Sequence, residues 1–206
     1  MEKVLASFNI TSNATSQANN TASNFLFYHN PVFGVSTEYP FGWSATDVAI
    51  NQSEPYHTVA DFFYPLESTS DKHHEAVAIA IDRYGNFDSL NEYLSNLISS
   101  YKELKKEFRV VESNTNSTLA GQPAFKLVFD DLNKNKVEMG ALEYATMIDN
   151  IVYSISYYAE KDKYFEYLPL IHRMVNSFKI TDVGLEPIQQ PEQQGLEPIQ
   201  KYTLLA

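Results

Sequence analysis

The order of periodic segments predicts an α+β layered domain, a mostly antiparallel sheet with two helices packed against it. Ser89–Phe108 carries apolar residues at three- and four-residue steps, and Tyr164–Phe178 repeats that spacing. Before and between them lie short runs of β-branched and aromatic residues separated by turn residues. Strands joined by such short turns pair with their neighbours, which makes the sheet antiparallel.

The elements follow in order. Asn30-Pro31 and Tyr39-Pro40 frame Val32–Glu38, a strand stopped by proline, and Gly42-Trp43 turns the chain with a large aromatic as anchor. Thr58–Tyr64 reads as a second strand, ended by Pro65. Val77, Ile79 and Ile81 alternate with Ala78 and Ala80 along a third, whose small alanines let a helix lie close. In the first helix Leu90, Tyr93, Leu94, Leu97, Ile98, Tyr101, Leu104 and Phe108 form one apolar stripe, and Ser89 with Glu92 makes a capping box. Phe108–Glu112, Ala124–Asp130, Val137–Ile148 and Ile151–Ala159 follow as strands, with the Ala120-Gly121-Gln122-Pro123 turn before the second and an Asp149-Asn150 hairpin between the last two. In the closing helix Tyr164, Leu168, Ile171, Val175 and Phe178 share a face. Pro169 forfeits a hydrogen bond there, at about 3 kcal/mol in a helix interior, so regular helix is expected only from Leu168.

At 206 residues, with 44% hydrophobic and 14% aromatic content, the chain suits one domain with a sizeable core. A formal net charge of −11 repels a phosphate backbone and excludes nucleic acid as the expected partner. Lys102, Lys105, Lys106 and Arg109 are interrupted by Glu103 and Glu107 and read as a solvated helix face. Without cysteine there are no disulfides, thiolate metal sites or thiol nucleophiles. No apolar run approaches the roughly 18–20 residues of a transmembrane segment, and Met1–Phe8 is too short for a secretory core.

Composition divides the chain in three. Residues 1–24 form a disordered Ser/Thr/Asn-rich spacer, 25–180 the folded domain, and 181–206 a flexible Pro/Gln-rich tail in which GLEPIQ occurs twice, at Gly184–Gln189 and Gly195–Gln200. Such a spacer commonly follows an export signal or membrane anchor, so such a segment is expected upstream, with an extracytoplasmic or cell-surface location. Asn9, Asn13, Asn19, Asn51 and Asn116 each head an Asn-x-Ser/Thr sequon, a pattern that chance also produces in a chain of this composition.

Two clusters could carry metal chemistry. Asp71, His73, His74 and Glu75 combine imidazoles and carboxylates ahead of a strand, ligands suited to zinc, manganese or calcium, although adjacent histidines on a strand point to opposite faces. A solvated loop is the plainer reading of that segment. Asp130 and Asp131, near Glu138, offer carboxylates, but the following Leu132-Asn133-Lys134-Asn135-Lys136 reads as a hairpin turn. His29, His57 and His172 are isolated, and no Gly-x-Ser-x-Gly elbow or phosphate-cradling glycine loop occurs. Tyr56, Phe62, Phe63, Tyr64, Tyr153, Tyr157 and Tyr158 exceed what one sheet face can hide. They predict burial on both faces, with any exposed remainder serving as a contact surface.

NPVFGVSTEYPFGW at Asn30–Trp43, TLAGQPAFKLVF at Thr118–Phe129, IVYSISYYA at Ile151–Ala159 and YFEYLPLIHRMVNSFKI at Tyr164–Ile180 resemble, in this order, the PsbP-like family. Its members share their fold with a Ran-binding nuclear import factor. The resemblance implies an α/β/α sandwich, a central antiparallel sheet flanked by helices. The plant member of the family is a non-enzymatic extrinsic subunit that helps photosystem II retain calcium and chloride, and many prokaryotic relatives are exported proteins of unknown role. The basic N-terminal segment of the plant protein has no counterpart, since Met1–Asn24 carries one lysine. The resemblance therefore implies a non-catalytic, exported accessory or binding module for a protein partner in a membrane-associated complex, with no cofactor. The alternative is a divalent-metal-binding protein or metal-dependent enzyme that uses Asp71, His73, His74 and Glu75.

Overall fold

The computed structural model describes residues 24–48, 54–66, 73–84, 87–105 and 107–188. Asp71, Lys106, Asn9, Asn13, Asn19, Asn51, the spacer up to residue 23 and the second GLEPIQ copy lie outside the described residues.

The first hairpin joins β1 (Phe25–Asn30) to β2 (Val35–Pro40), with Phe25 opposite Pro40 and Asn30 opposite Val35. This corrects the expected strand from Val32. The Asn30 side-chain oxygen accepts from the backbone N–H of Val32 (3.0 Å) and Phe33 (3.2 Å), so residues 31–34 turn and the return strand starts at Val35.

A seven-stranded antiparallel sheet follows, in the order β3 (Ser44–Asp47), β4 (Tyr56–Phe63), β5 (Ala76–Asp82), β9 (Ile151–Glu160), β8 (Glu138–Ile148), β7 (Gln122–Leu132), β6 (Arg109–Leu119). The β6–β7 turn is tighter than expected. Ala120 and Gly121 both take positive φ (52° and 77°), and Pro123 lies inside β7, where its carbonyl accepts from Thr146 Oγ1 at 2.7 Å. Asp149 and Asn150, with φ of 50° and 60°, close β8–β9 as expected.

Helix α1 (Leu90–Leu104) starts where the capping box places it. Ser89 Oγ accepts from the Glu92 N–H at 3.2 Å, while the Glu92 carboxylate accepts from the Asp88 N–H at 2.9 Å. Helix α2 (Tyr164–Ser177) runs through Pro169, contrary to the expected start at Leu168. The N–H that Pro169 lacks would have met the Phe165 carbonyl. Both residues are exposed, so water can satisfy that carbonyl, and buried Tyr164 and Tyr167 hold the first turn down. None of the described helices is long and apolar enough to cross a membrane.

The layers form the expected α/β/α sandwich. Helix α1 buries Tyr93, Leu94, Leu97 and Tyr101 against Phe125, Leu127, Phe129 and Ala145 on one sheet face. On the other face α2, β1, β2 and the short β10 (Lys179–Ile180), paired to β2, enclose Trp43, Phe62, Tyr157, Ile171 and Met174. Trp43 packs edge-on against Tyr64 and Tyr167, which makes its segment a packing anchor. The aromatic excess therefore divides between two cores.

Past Ile180 the chain stays on the domain. Thr181 N–H donates to the Gly34 carbonyl (2.7 Å), the Arg83 guanidinium donates to the Glu186 carbonyl (2.6 and 2.9 Å), and Ile188 N–H donates to the Arg83 carbonyl (2.6 Å). The first GLEPIQ copy is thus docked as far as Ile188, and the flexible tail expected from residue 181 does not describe Thr181–Ile188.

Candidate functional site

The sequence candidates separate in the structure. His74 Nδ1 lies 2.7 Å from the Tyr64 carbonyl, with its ring edge-on to Phe63, while the His73 ring is hydrogen-bonded to the Asn133 side chain in the β7–β8 turn. Glu75 is buried and has Lys163 Nζ 3.7 Å away at the start of α2. These three side chains thus engage three different elements. Among the described residues no three His, Asp or Glu side chains converge as metal ligands.

Asp130 and Asp131 point to opposite sides of β7, as consecutive strand residues must. Asp130 pairs with Arg109 and Lys161, and buried Asp131 pairs with Lys105. Lys105 also donates to the Tyr158 hydroxyl (2.6 Å) and lies 5.0 Å from that ring's centroid. The reading of Lys105 as part of a solvated face is corrected: it caps α1 and turns its ammonium inward to a structural ion pair. His57 is buried against Phe33, and burial lowers its pKa.

A different group gathers on the α1 side of the sheet. Register places Asp61 (β4), Ala78 (β5), Ser156 (β9) and Glu143 (β8) in one cross-strand row. The next row holds Thr58, Ala80, Ser154 and Ala145, and the one beyond pairs Tyr56 with Asp82. Three carboxylates thus surround a floor of alanine, serine and threonine. Helix α1 leans over β7, and Thr58, Ala78 and Ser156 stay half-buried although their strands are interior to the sheet.

The walls are polar and acidic. Glu143 is 1% exposed and accepts from the Tyr101 hydroxyl at 3.0 Å. The Tyr93 hydroxyl donates to Asp82, which also accepts from the Tyr84 N–H at 3.0 Å. Tyr56 is hydrogen-bonded to Thr58; burial first, then the charges of Glu143, Asp82 and Asp61, push its phenol far up. Asp61 is 7% exposed, and burial pushes its carboxyl up to about 6. Sequence reasoning passed over these acids because each stands singly in a largely apolar strand, Asp61 and Glu143 within theirs and Asp82 at the end of its own: TVADFFY, GALEYAT, AVAIAID. That interruption was the available signal, since a carboxylate within a buried strand requires a reason.

A second surface lies on the opposite side of the molecule. Phe27 (68% exposed) on β1 and Phe41 (73%) after β2 stand out of the first hairpin. Beside them Arg173 of α2 covers the Phe25 ring at 3.8 Å and pairs with Glu38 at 2.9 Å. Among the described aromatics the most exposed are these two phenylalanines and Phe165 on α2 (70%), none of them among those singled out in the sequence. Of the aromatics singled out in the sequence, Phe62, Tyr153, Tyr157 and Tyr158 are buried and Tyr56, Phe63 and Tyr64 are partly buried.

No protein-family model and no curated protein matches the sequence. Solved structures do match the fold. Cyanobacterial PsbP (CyanoP) from Synechocystis sp. PCC 6803 superposes with a TM-score of 0.56 at 16% identity, covering 82% of this chain and 99% of its own. LpqN of Mycobacterium tuberculosis, described as involved in cell envelope biogenesis, gives 0.54 at 15% identity over 77% of this chain and 91% of its own. The Saccharomyces cerevisiae Ran-binding protein Mog1p gives 0.52 at 12% identity, over 77% and 96%. Shared layer order and near-complete coverage at such low identity speak to architecture: this chain has the PsbP-like fold.

Proposed function

We infer that the chain is a non-catalytic binding module, exported and held outside the cytoplasm by its N-terminal spacer, which serves a membrane-associated complex as an accessory subunit. The observation that carries this reading is the hairpin surface at Phe27 and Phe41. Large aromatics left in water beside an Arg173–Glu38 pair have the anatomy of a protein interface, an apolar centre with a charged rim. The PsbP-like fold supports the reading, because a Ran-binding protein and a cell-envelope protein are among its bearers. The Ser/Thr/Asn-rich composition of Ser7–Asn24 supports a tether.

A photo-crosslinking residue at Phe27, expressed in the source organism, tests this directly. Crosslinks to a membrane-associated protein, absent when the probe sits at Lys134 in the β7–β8 turn, are expected. Recovery of soluble cytoplasmic proteins alone would overturn both the export and the accessory role.

A further inference from the structure

On the opposite, α1 side of the sheet, packing leaves Asp61 unexplained. It is 7% exposed, and among the described residues its Oδ1 has no hydrogen-bond partner. Buried polar atoms are nearly always partnered, so each exception calls for a reason. Alternation on β4 and the pairing of Asp61 with Ala78 direct this carboxylate to the half-buried floor of Ala78 and Ser156.

The shape of the floor narrows the chemistry. Alanine and serine side chains end one or two atoms from the backbone, so the middle of the sheet lies below Asp61 and Tyr56 on one flank and Glu143 on the other. Asp61 and Glu143 are three strand spacings apart, about 14 Å between backbones. A single compact ion cannot bridge that span, whereas an organic cation with an alkyl stem can lie along it. The Tyr56 phenol already lies in the field of all three carboxylates and adds an aromatic surface that favours a cation.

We propose that this recess binds an aliphatic ammonium group, held on the Asp61 carboxylate with its alkyl stem over Ala78 and Ser156 and with Tyr56 at its side. An ammonium carries three donors and no acceptor, which suits an unpartnered carboxylate oxygen. The net charge of −11 draws cations towards the chain. The group can belong to a free amine or to a lysine side chain of a protein.

The purified chain is titrated with putrescine, with N-acetyl-lysine methylamide and with butanediol as a neutral isostere, following backbone amide shifts. Saturable shifts at Thr58, Ala78 and Ser156 with an amine, and none with the diol, are expected. Response to putrescine alone identifies a free amine, and response to the lysine amide alone identifies a protein side chain. Asp61→Asn should weaken binding at least about tenfold, and Ser156→Leu, which fills the floor while leaving Asp61 in place, should abolish it. Silence with both amines, an equal response to the diol, or full affinity in Asp61→Asn would overturn the proposal. None of these outcomes bears on crosslinking at Phe27, so the two readings fail separately.

Discussion

Asp61→Asn should make the protein more stable at neutral pH. Burial holds the Asp61 carboxyl at about 6 in the folded chain against an ordinary 3.8, and no basic side chain contributes to the shift. Of the described titratable groups on its sheet face, Tyr56, Asp82 and Glu143 are acids, and the Asp61 charge acts on Tyr56. Because the folded value is raised, the folded state prefers the protonated acid. The destabilisation is therefore complete above about pH 6 and fades as pH falls towards 3.8. At about 1.4 kcal/mol per pH unit it amounts to about 3 kcal/mol at neutral pH and about 1 kcal/mol at about pH 4.5. Asparagine removes the charge at nearly constant volume but still buries an amide, so a gain of about 1–3 kcal/mol is expected at about pH 7.5. The gain should shrink by about 2 kcal/mol at about pH 4.5. Urea unfolding at both pH values measures it, with equal m-values showing that the denatured state is unchanged. A neutral or destabilising substitution at neutral pH, or an equal gain at both, would refute the electrostatic account. Stabilisation on removing a native charge is the signature of a group kept for binding.

Gly34→Ala should cost at least about 2 kcal/mol and speed proteolysis after Ile180, because a Cβ there falls 2.0 Å from the Thr181 carbonyl oxygen at φ +66°. Gly42→Ala, at φ +93° with nothing within 4 Å, should cost only about 1 kcal/mol of backbone strain, and equal costs at the two sites would discount the Thr181 contact. Lys105→Ala strands buried Asp131 beside the Tyr158 hydroxyl and should cost about 3–5 kcal/mol. Adding Asp131→Asn to Lys105→Ala should recover most of that loss, and a coupling energy under about 1 kcal/mol in the double-mutant cycle would show the pair to be weak.

Much of the fold was legible because its determinants are local. The apolar stripe and Ser89–Glu92 box set α1, and Asp149-Asn150 set a hairpin, since each rests on residues within one turn of one another. Errors arose where local and tertiary preferences compete. Pro169 argues for a late helix start, yet the core holds of Tyr164 and Tyr167 prevail. Lys105 reads as a surface cation until Asp131, distant in sequence, is brought beneath it. Asp71 lies outside the described residues, while His73, His74 and Glu75, close in sequence, separate because alternation turns His74 away from its neighbours and His73 and Glu75 meet different elements, the β7–β8 turn and the start of α2.

By itself the sequence determined an acidic chain of strands and two helices, with the order of these elements and both amphipathic helix faces, because period and turn chemistry are properties of neighbouring residues. Only the tertiary structure decided which lone carboxylates share a row. Asp61 and Glu143 fall in one row, with Asp82 two rows away on the same sheet face, through the registers of β4, β5, β9 and β8, and register depends on how whole strands align. It likewise decided that Phe27 and Phe41 face water while Phe62 and Tyr157 do not, because exposure depends on what α2 and β2 cover.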